Sequence, residues 1–125
     1  MSKKANDGWI GVDLDGTLAV YDQWRGSNHV GEPIPAMVER VKKWIAEGRN
    51  VRIFTARISK PENNALRQRD AAFATIAIQD WCLEVFGQML PITNVKDYSM
   101  YEFWDDRAIQ VVKNTGIRIG DIERG

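Results

Sequence analysis

Short apolar runs alternate with amphipathic stretches along the first half of the chain, which predicts an α/β fold. Residues 9–12 are apolar and run into an acidic turn that contains glycine, as is typical of a buried strand that leads into a loop. In residues 35–47, apolar side chains recur at helical spacing, with Pro35 near the start and Gly48 after the end. Residues 51–54 form the next apolar run. Because a strand, a helix and a strand follow one another, we predict a doubly wound, mainly parallel α/β sheet.

The second half of the chain repeats the alternation with weaker signals. Residues 59–62 match a capping box with proline in the first turn, and they open a helical stretch that ends at Gly87. The first third of this stretch is polar and is also compatible with a loop. Residues 90–95 and 101–104 are strand candidates, and residues 116–119 are a weaker one. Three large residues on helical stripes are predicted to be core: Trp44, Phe73 and Trp81.

Length and composition indicate one soluble domain. The chain has 125 residues, enough for a single core and too few for two independent ones. Residues 1–7 are polar and without periodicity, so we expect them to fray and the α/β core to occupy residues 8–125. The formal net charge is zero, which gives no overall attraction to nucleic acid or to an anionic membrane. Any nucleic-acid partner would have to be recognised locally.

The single cysteine bears on the compartment. Cys82 cannot form an internal disulfide, and no apolar stretch is long enough for a signal peptide or a membrane span. We therefore expect a cytoplasmic protein without a membrane partner. Cys82 lies in an apolar run, which favours a buried, inert thiol.

Two carboxylates mark the end of the first predicted strand. Asp13 and Asp15 are two residues apart, so in extended geometry they face the same side. Carboxylates held this close repel each other unless a divalent cation lies between them or the pKa of one is raised. Either outcome suits acid–base or nucleophilic chemistry.

Polar side chains also follow the other predicted strands. Thr55 comes after residue 54, Lys96 after residue 95, and an Asp105–Asp106 pair after residue 104. The carboxyl ends of parallel strands meet at one edge of a sheet, where ligands of open α/β folds bind. A nucleophile, carboxylate ligands for a hard cation, and donors for phosphoryl oxygens are what phosphoryl transfer requires. Arg57, just past Thr55, could meet a substrate anion or pair with a surface carboxylate.

Taken in order, the residues Asp13-Leu-Asp15-Gly-Thr-Leu, Thr55, Lys96 and Asp105-Asp106 resemble the four motifs of the haloacid dehalogenase superfamily, and the resemblance spans nearly the whole chain. It implies a phosphomonoester hydrolase that passes through an aspartyl-phosphate. By this resemblance Asp13 is the nucleophile and Asp15 is first the general acid and then the general base. Thr55 and Lys96 hold the phosphoryl oxygens, and Arg57 is a further substrate-binding candidate.

The resemblance also implies a metal site. The carboxylate of Asp13 and a backbone carbonyl, that of Asp15 or of its neighbour Leu14, would be ligands. Asp105 and Asp106 would complete the set, and the sequence leaves open which of them binds the metal directly. Because these ligands are all oxygens, with no Cys or His cluster, the expected cofactor is Mg²⁺.

The spacing of the motifs leaves no room for a cap domain. About fifteen residues separate residues 18 and 33, enough for a hairpin flap, and about forty separate Thr55 from Lys96, which one helix and its loops consume. The chain thus resembles a capless member. An open site suits a phosphorylated polymer end or protein as well as a small phosphoester, or a neighbouring subunit could close it. Tyr21 and Trp24 in the flap region could stack on a base or pack within the flap.

Several functions remain open from the sequence. Within a hydrolase, the substrate could be a nucleotide, a sugar phosphate or a phosphorylated nucleic-acid end. A non-catalytic module that binds Mg²⁺ and phosphate on the same scaffold is the competing class. A phosphotransferase, in which an acceptor alcohol replaces water, is the third. His29 is expected to be a solvated loop residue without a catalytic role.

Overall fold

A computed structural model describes residues 8–122 of the chain, so the predictions for residues 1–7 and 123–125 lie outside the described part. Its centre is a sheet of four strands in the order β3-β2-β1-β4, with all neighbours parallel. The strands are β1 (Trp9–Asp13), β2 (Asn50–Phe54), β3 (Ile92–Thr93) and β4 (Met100–Trp104). The predicted α/β fold is confirmed.

The first helix, α1 (Pro35–Ala46), joins β1 to β2 as the sequence predicts. Pro35 lies in its first turn, and Gly48 takes a positive φ of 80° after its end. The apolar stripe of α1 is buried through Met37, Val38 and Val41, and through Trp44 one turn further on. The fixed φ of proline suits the first turn of a helix, where its missing N–H costs no hydrogen bond. Glycine suits the position just past the end, so the two residues mark the limits of α1.

The second helix, α2 (Ala65–Phe86), begins later than predicted. The capping box at Ser59 is not its start, because residues Ala56–Ile58 form a 3₁₀ turn and Asn63 has a positive φ of 65° that interrupts a right-handed helix. Asn64 caps α2, its side chain accepting a 3.0 Å hydrogen bond from the backbone N–H of Arg67. The predicted end is confirmed: Gly87 is left-handed, with a φ of 74°.

The core lies between the sheet and both long helices. Its strand residues lie on one face of the sheet, since Ile10 is opposite Val51 and Val12 is opposite Ile53. They form one buried cluster with the apolar residues of α1 and with Ile78, Trp81 and Cys82 of α2. Cys82 is inaccessible, so the predicted burial of its thiol is confirmed, and burial raises the pKa of the thiol to about 11. None of the helices in the described residues is both apolar enough and long enough to cross a membrane.

One packing prediction is wrong. Phe73 was expected in the core with Trp44 and Trp81, but its side chain is 48% exposed while the two tryptophans are buried. The buried residues of α2 follow Ala71 at helical spacing, and Phe73, two residues later, falls on the other side of the helix. Arg69 covers part of its ring, with the guanidinium carbon 5.8 Å from the ring centroid.

The strand predictions for the last third are only partly right. Residues 90–95 contribute a strand of two residues, β3, and residues 116–119 form none. Instead, Val111 pairs with Arg118 in an isolated antiparallel bridge, and a short helix, α3 (Ile119–Ile122), follows. Gly116 has a positive φ of 74°, which bends the chain between the two bridge residues and prevents an extended run.

A flap of residues 14–34 connects β1 to α1. The N–H of Val20 donates to the carbonyl of Glu32 at 2.8 Å, and the N–H of Ile34 to the carbonyl of Leu18 at 2.9 Å, so the two arms pair at their base. The indole N–H of Trp81 donates to the carbonyl of Gly31 at 2.9 Å and ties the flap to α2. A Cβ on Gly31 would lie 2.0 Å from a backbone oxygen, so only glycine fits there. Of the two segments considered for a cap domain, the one between residues 18 and 33 is this flap, and the one between Thr55 and Lys96 contains the 3₁₀ turn, α2 and β3.

Candidate active site

The carboxyl ends of β1, β2 and β4 open into a cavity of about 580 Å³. It contains most of the side chains that the sequence predicts to act together, namely Asp13, Asp15, Thr55, Arg57, Asp105 and Asp106. They converge because β2 and β4 both pair with β1 in parallel, which brings the ends of the three strands to the same edge. The sheet order therefore accounts for the convergence of residues up to 93 positions apart in the sequence.

Three carboxylates form the floor of this cavity. One oxygen from each of Asp13, Asp105 and Asp106 can be chosen so that all three lie within 4.8 Å of one another. Asp105 is oriented by its own turn, where its Oδ2 accepts from the backbone N–H of Ala108 at 2.9 Å. Gly16 makes room for Asp106, because a Cβ at Gly16 would lie 2.5 Å from Oδ2 of Asp106. Gly16 also has a positive φ of 91°, which disfavours any other residue.

The electrostatics of Asp13 reflect this crowding. Burial, followed by the charge of Asp105 and contact with Asp106, raises the pKa of Asp13 from 3.8 to about 7. The hydroxyl of Thr17 stabilises the charge of Asp13 only weakly, because it lies 3.4 Å from Oδ2 of Asp13, at the long end of a hydrogen bond. Three converging carboxylate oxygens with unbalanced charge fit a hard divalent cation such as Mg²⁺, which prefers oxygen ligands.

Two backbone carbonyls, those of Leu14 and Asp15, are candidates for the metal site, and their hydrogen bonds differ. The carbonyl oxygen of Leu14 accepts hydrogen bonds from the N–H groups of Thr17, Leu18 and Ala19 at 3.3, 3.0 and 2.9 Å. A carbonyl oxygen has two lone pairs, so this set leaves none for a cation. These hydrogen bonds make the carbonyl of Asp15 the better candidate of the two, and the metal ligand itself stays a prediction.

Asp15 forms a bidentate ion pair with Arg57. Nε and Nη2 of Arg57 donate to the two carboxylate oxygens of Asp15, each at 2.8 Å. Nη1 of Arg57 donates to the backbone carbonyl of His29 in the flap. The Arg57 side chain is 6% exposed and that of Asp15 is 22% exposed, so water reaches the pair only from the side of the carboxylate. The sequence left two alternatives for Arg57, contact with a substrate anion or pairing with a surface carboxylate. In the structure Arg57 pairs with a carboxylate, and that carboxylate lies in the site.

Thr55 is the most buried polar residue of the cavity, with 2% of its surface exposed. Its backbone N–H donates to the carbonyl of Thr93 at 2.9 Å, and its Oγ1 accepts from the N–H of Arg57 at 3.1 Å. Because Oγ1 acts as an acceptor in that bond, its own O–H is left to donate. Thr55 thus offers one oriented donor next to the carboxylates.

Lys96 lies apart from the other predicted residues. Its side chain is exposed, and it is absent from the lining of the 580 Å³ cavity. β3 ends at Thr93, whose hydroxyl accepts a 3.0 Å hydrogen bond from the N–H of Val95 and turns the chain before Lys96. The role of Lys96 in holding a phosphoryl group stays a prediction.

The cavity also contains residues that the sequence reasoning missed, among them Ser27, Arg67 and Arg107. Arg107 directly follows the Asp105–Asp106 pair, so its position along the chain could have identified it. Arg67 could be placed only after the start of α2 was known. The expected solvated position of His29 is confirmed for its exposed side chain, but its carbonyl takes part in the site through Arg57.

Comparisons with known proteins support the fold. No protein-family model matches the chain, and no curated protein matches it. Among solved structures, a conserved protein coded by a locus of Bacteroides thetaiotaomicron superposes with a TM-score of 0.51 at 22% sequence identity, covering 83% of this chain and 79% of that chain. At this identity the similarity shows the shared α/β fold alone.

Proposed function

We propose that the protein is a Mg²⁺-dependent phosphomonoester hydrolase of the haloacid dehalogenase type, with Asp13 as its nucleophile. The observation that carries the proposal is the convergence of Asp13, Asp105 and Asp106 within 4.8 Å, beside the hydroxyl of Thr55 in one cavity. These residues stand in the order and at the strand ends that the superfamily motifs require. Fold likeness alone would not support an activity, since one fold carries many functions.

The metal would be held by the carboxylates of Asp13, Asp105 and Asp106 and by the carbonyl of Asp15. When bound there, Mg²⁺ supplies positive charge that offsets the carboxylates and the phosphoryl oxygens. The raised pKa of Asp13 supports this arrangement, because it reflects burial first and then the negative charge of Asp105 and Asp106, which a bound cation would balance.

In the first half-reaction, an oxygen of Asp13 forms a bond to the phosphorus atom as the ester P–O bond breaks. The leaving oxygen takes a proton from Asp15 and departs as an alcohol. The O–H of Thr55 donates to an oxygen of the phosphoryl group, which fixes its orientation. The product of this half-reaction is an aspartyl-phosphate on Asp13.

In the second half-reaction, Asp15 accepts a proton from a water molecule as the water oxygen bonds to phosphorus. The bond between phosphorus and Asp13 breaks, and inorganic phosphate leaves. Arg57 holds Asp15 in a fixed orientation for this step. Before the first half-reaction Asp15 must carry a proton, which weakens its pairing with Arg57 because the carboxyl group is then neutral.

This ion pair also favours one competing function. A carboxylate whose two oxygens are both engaged by Arg57 is suited to a fixed structural role, as in a module that binds Mg²⁺ and phosphate without turnover. A phosphotransferase shares the first half-reaction and differs only in the acceptor. The two classes are separated from the hydrolase by turnover and by product analysis with a competing alcohol.

The test is phosphate release from a panel of phosphomonoesters, with Mg²⁺ and with chelator. The wild type is compared with Asp13→Asn and Asp15→Asn, and with Asp121→Asn as a matched control, since Asp121 is exposed on α3. We expect Mg²⁺-dependent release in the wild type and control, and loss of more than about a hundredfold in the other two variants. Full activity of Asp13→Asn would overturn the mechanism. Binding of Mg²⁺ and phosphate without release by the wild type would favour the binding module.

A further inference from the structure

Two aromatic side chains on the flap face the same cavity as the carboxylates. Tyr21 and Trp24 are 43% and 58% exposed, and both line the cavity that contains Asp13. Large apolar surface that is exposed inside a polar cavity is a common feature of ligand sites, where it covers part of the ligand. The phosphoryl chemistry proposed above does not use either ring.

Trp24 is held in place rather than free in its loop. The guanidinium carbon of Arg57 lies 5.0 Å from the centroid of the Trp24 ring, in a cation–π contact. Arg57 is itself fixed by its two 2.8 Å hydrogen bonds to Asp15 and by its bond to the carbonyl of His29. One face of the indole is thus backed by a nearly buried cation, while more than half of the side chain stays exposed. The ring is a platform tied through Arg57 to Asp15, two residues after Asp13.

The size and charge of the cavity limit what lies on this platform. A volume of about 580 Å³ exceeds what a phosphoryl group alone would fill and is within the range of about 300–1,000 Å³ that small-molecule ligands occupy. Arg67 and Arg107 line the cavity as well, and so does Asp70, which joins the four carboxylates already described. The two arginines would meet an anionic ligand, and a cation bound at Asp13, Asp105 and Asp106 would offset part of the negative charge of the lining. An anionic ligand with a planar group at some distance from its phosphate matches this combination of features.

We propose that the substrates are nucleotides: the phosphate lies at Asp13 and Thr55, and the base stacks on Trp24 with Tyr21 beside it. This inference rests on the proposed function for the position of the phosphate. Stacking on an aromatic ring tolerates any base, because every base has a π-face. The site therefore accepts several bases and discriminates strongly against phosphoesters that lack a ring.

The kinetic test compares adenosine 5′-monophosphate with glycerol 3-phosphate, which has no ring. In Trp24→Ala we expect the ratio of the two kcat/KM values to fall about 5- to 100-fold, as expected for the loss of one stacked base. Trp24→Phe should retain part of the preference. Tyr98→Ala is the matched control, because Tyr98 is fully exposed and outside the cavity lining, and its ratio should stay at the wild-type value. An unchanged ratio in Trp24→Ala would overturn the proposal.

A binding measurement separates failure of this inference from failure of the hydrolase proposal. Titration calorimetry on Asp13→Asn, in Mg²⁺ and in chelator, follows the same two ligands without turnover. Adenosine 5′-monophosphate that binds at least fivefold more tightly than glycerol 3-phosphate, with the difference lost on adding Trp24→Ala, supports the inference even for a protein that releases no phosphate. Equal affinities for the two ligands would refute it. The affinity of a 5′-phosphorylated dinucleotide is then compared with that of adenosine 5′-monophosphate. Tighter binding of the dinucleotide indicates a polymer end as the substrate, and tighter binding of the mononucleotide indicates a free nucleotide.

Discussion

The substitution Asp13→Asn should stabilise the folded protein in the absence of divalent cations, although it removes the proposed nucleophile. The carboxylate of Asp13 is partly buried beside Asp105 and Asp106, and these surroundings raise its pKa from 3.8 to about 7. A raised pKa means that the folded state holds the proton more tightly than the unfolded chain does. Above pH 7, where Asp13 is ionised in both states, the fold therefore carries the full cost of the confined charge. The amide removes that charge.

The size of the effect follows from the two pKa values. At about 1.4 kcal/mol per pKa unit, a rise from 3.8 to about 7 corresponds to an upper limit of roughly 4 kcal/mol. Asp13 is partly accessible to water, which screens the repulsion, so we expect about 1–3 kcal/mol at pH 8. The sign of the pH dependence is fixed. The free energy of unfolding of Asp13→Asn equals that of the wild type below about pH 4, exceeds it increasingly between pH 4 and 7, and exceeds it by a constant amount above pH 7.

Urea unfolding at pH 4, 6 and 8 in chelator measures this directly, with Asp121→Asn as the control for loss of a surface charge. Added Mg²⁺ should cancel or reverse this difference at pH 8, because a ligand that binds the folded wild type stabilises it by about 2.7 kcal/mol at a hundredfold excess over Kd. If Asp13→Asn were less stable than the wild type at pH 8 in chelator, or if its advantage did not change with pH, the account of the acidic cluster would be refuted.

Three further substitutions test separate parts of the account. Gly16→Ala should cost about 1–3 kcal/mol in urea unfolding and weaken Mg²⁺ binding in calorimetry. The residue has a φ of 91°, and its new Cβ would lie 2.5 Å from Oδ2 of Asp106. Unaltered stability would contradict this prediction. Thr55→Val removes the donor and also the acceptor of the Arg57 backbone N–H, so it should lower kcat about 10²- to 10³-fold and cost about 1–3 kcal/mol in stability; wild-type kcat would count against the role of Thr55. Ile53→Ala opens a cavity in a fully buried position and should cost about 2–5 kcal/mol; a loss below 1 kcal/mol would show that the core collapses to fill the gap.

The parts of the fold that the sequence predicts well are those in which one local pattern is sufficient. β1, α1 and β2 follow from an apolar run, a helical stripe with proline and glycine at its ends, and a second apolar run. The meeting of Asp13 with Asp105 and Asp106 follows from strand ends in a parallel sheet, a topological rule that needs no side-chain detail. Most of the candidate site was therefore within reach of the sequence.

The parts that were missed depend on single backbone angles and on contacts between distant residues. The left-handed φ of Asn63 delays α2 past a capping box that reads well in isolation. Phe73 is apolar, yet the direction in which α2 faces the sheet leaves it exposed. The ion pair between Asp15 and Arg57 joins residues 42 positions apart, and nothing in the pattern around Arg57 distinguishes it from a surface pair. Such features are decided by packing after the elements have formed.

The most direct test of the central claim is to look for phosphate on Asp13 itself. Wild-type protein is mixed with a substrate and Mg²⁺, quenched with acid during turnover, digested and analysed by mass spectrometry for a phosphorylated peptide that contains residue 13. The account predicts phosphate on Asp13 that hydroxylamine removes, and none in Asp13→Asn or in chelator. Turnover that proceeds without phosphate on Asp13, or with phosphate on another residue, would contradict it.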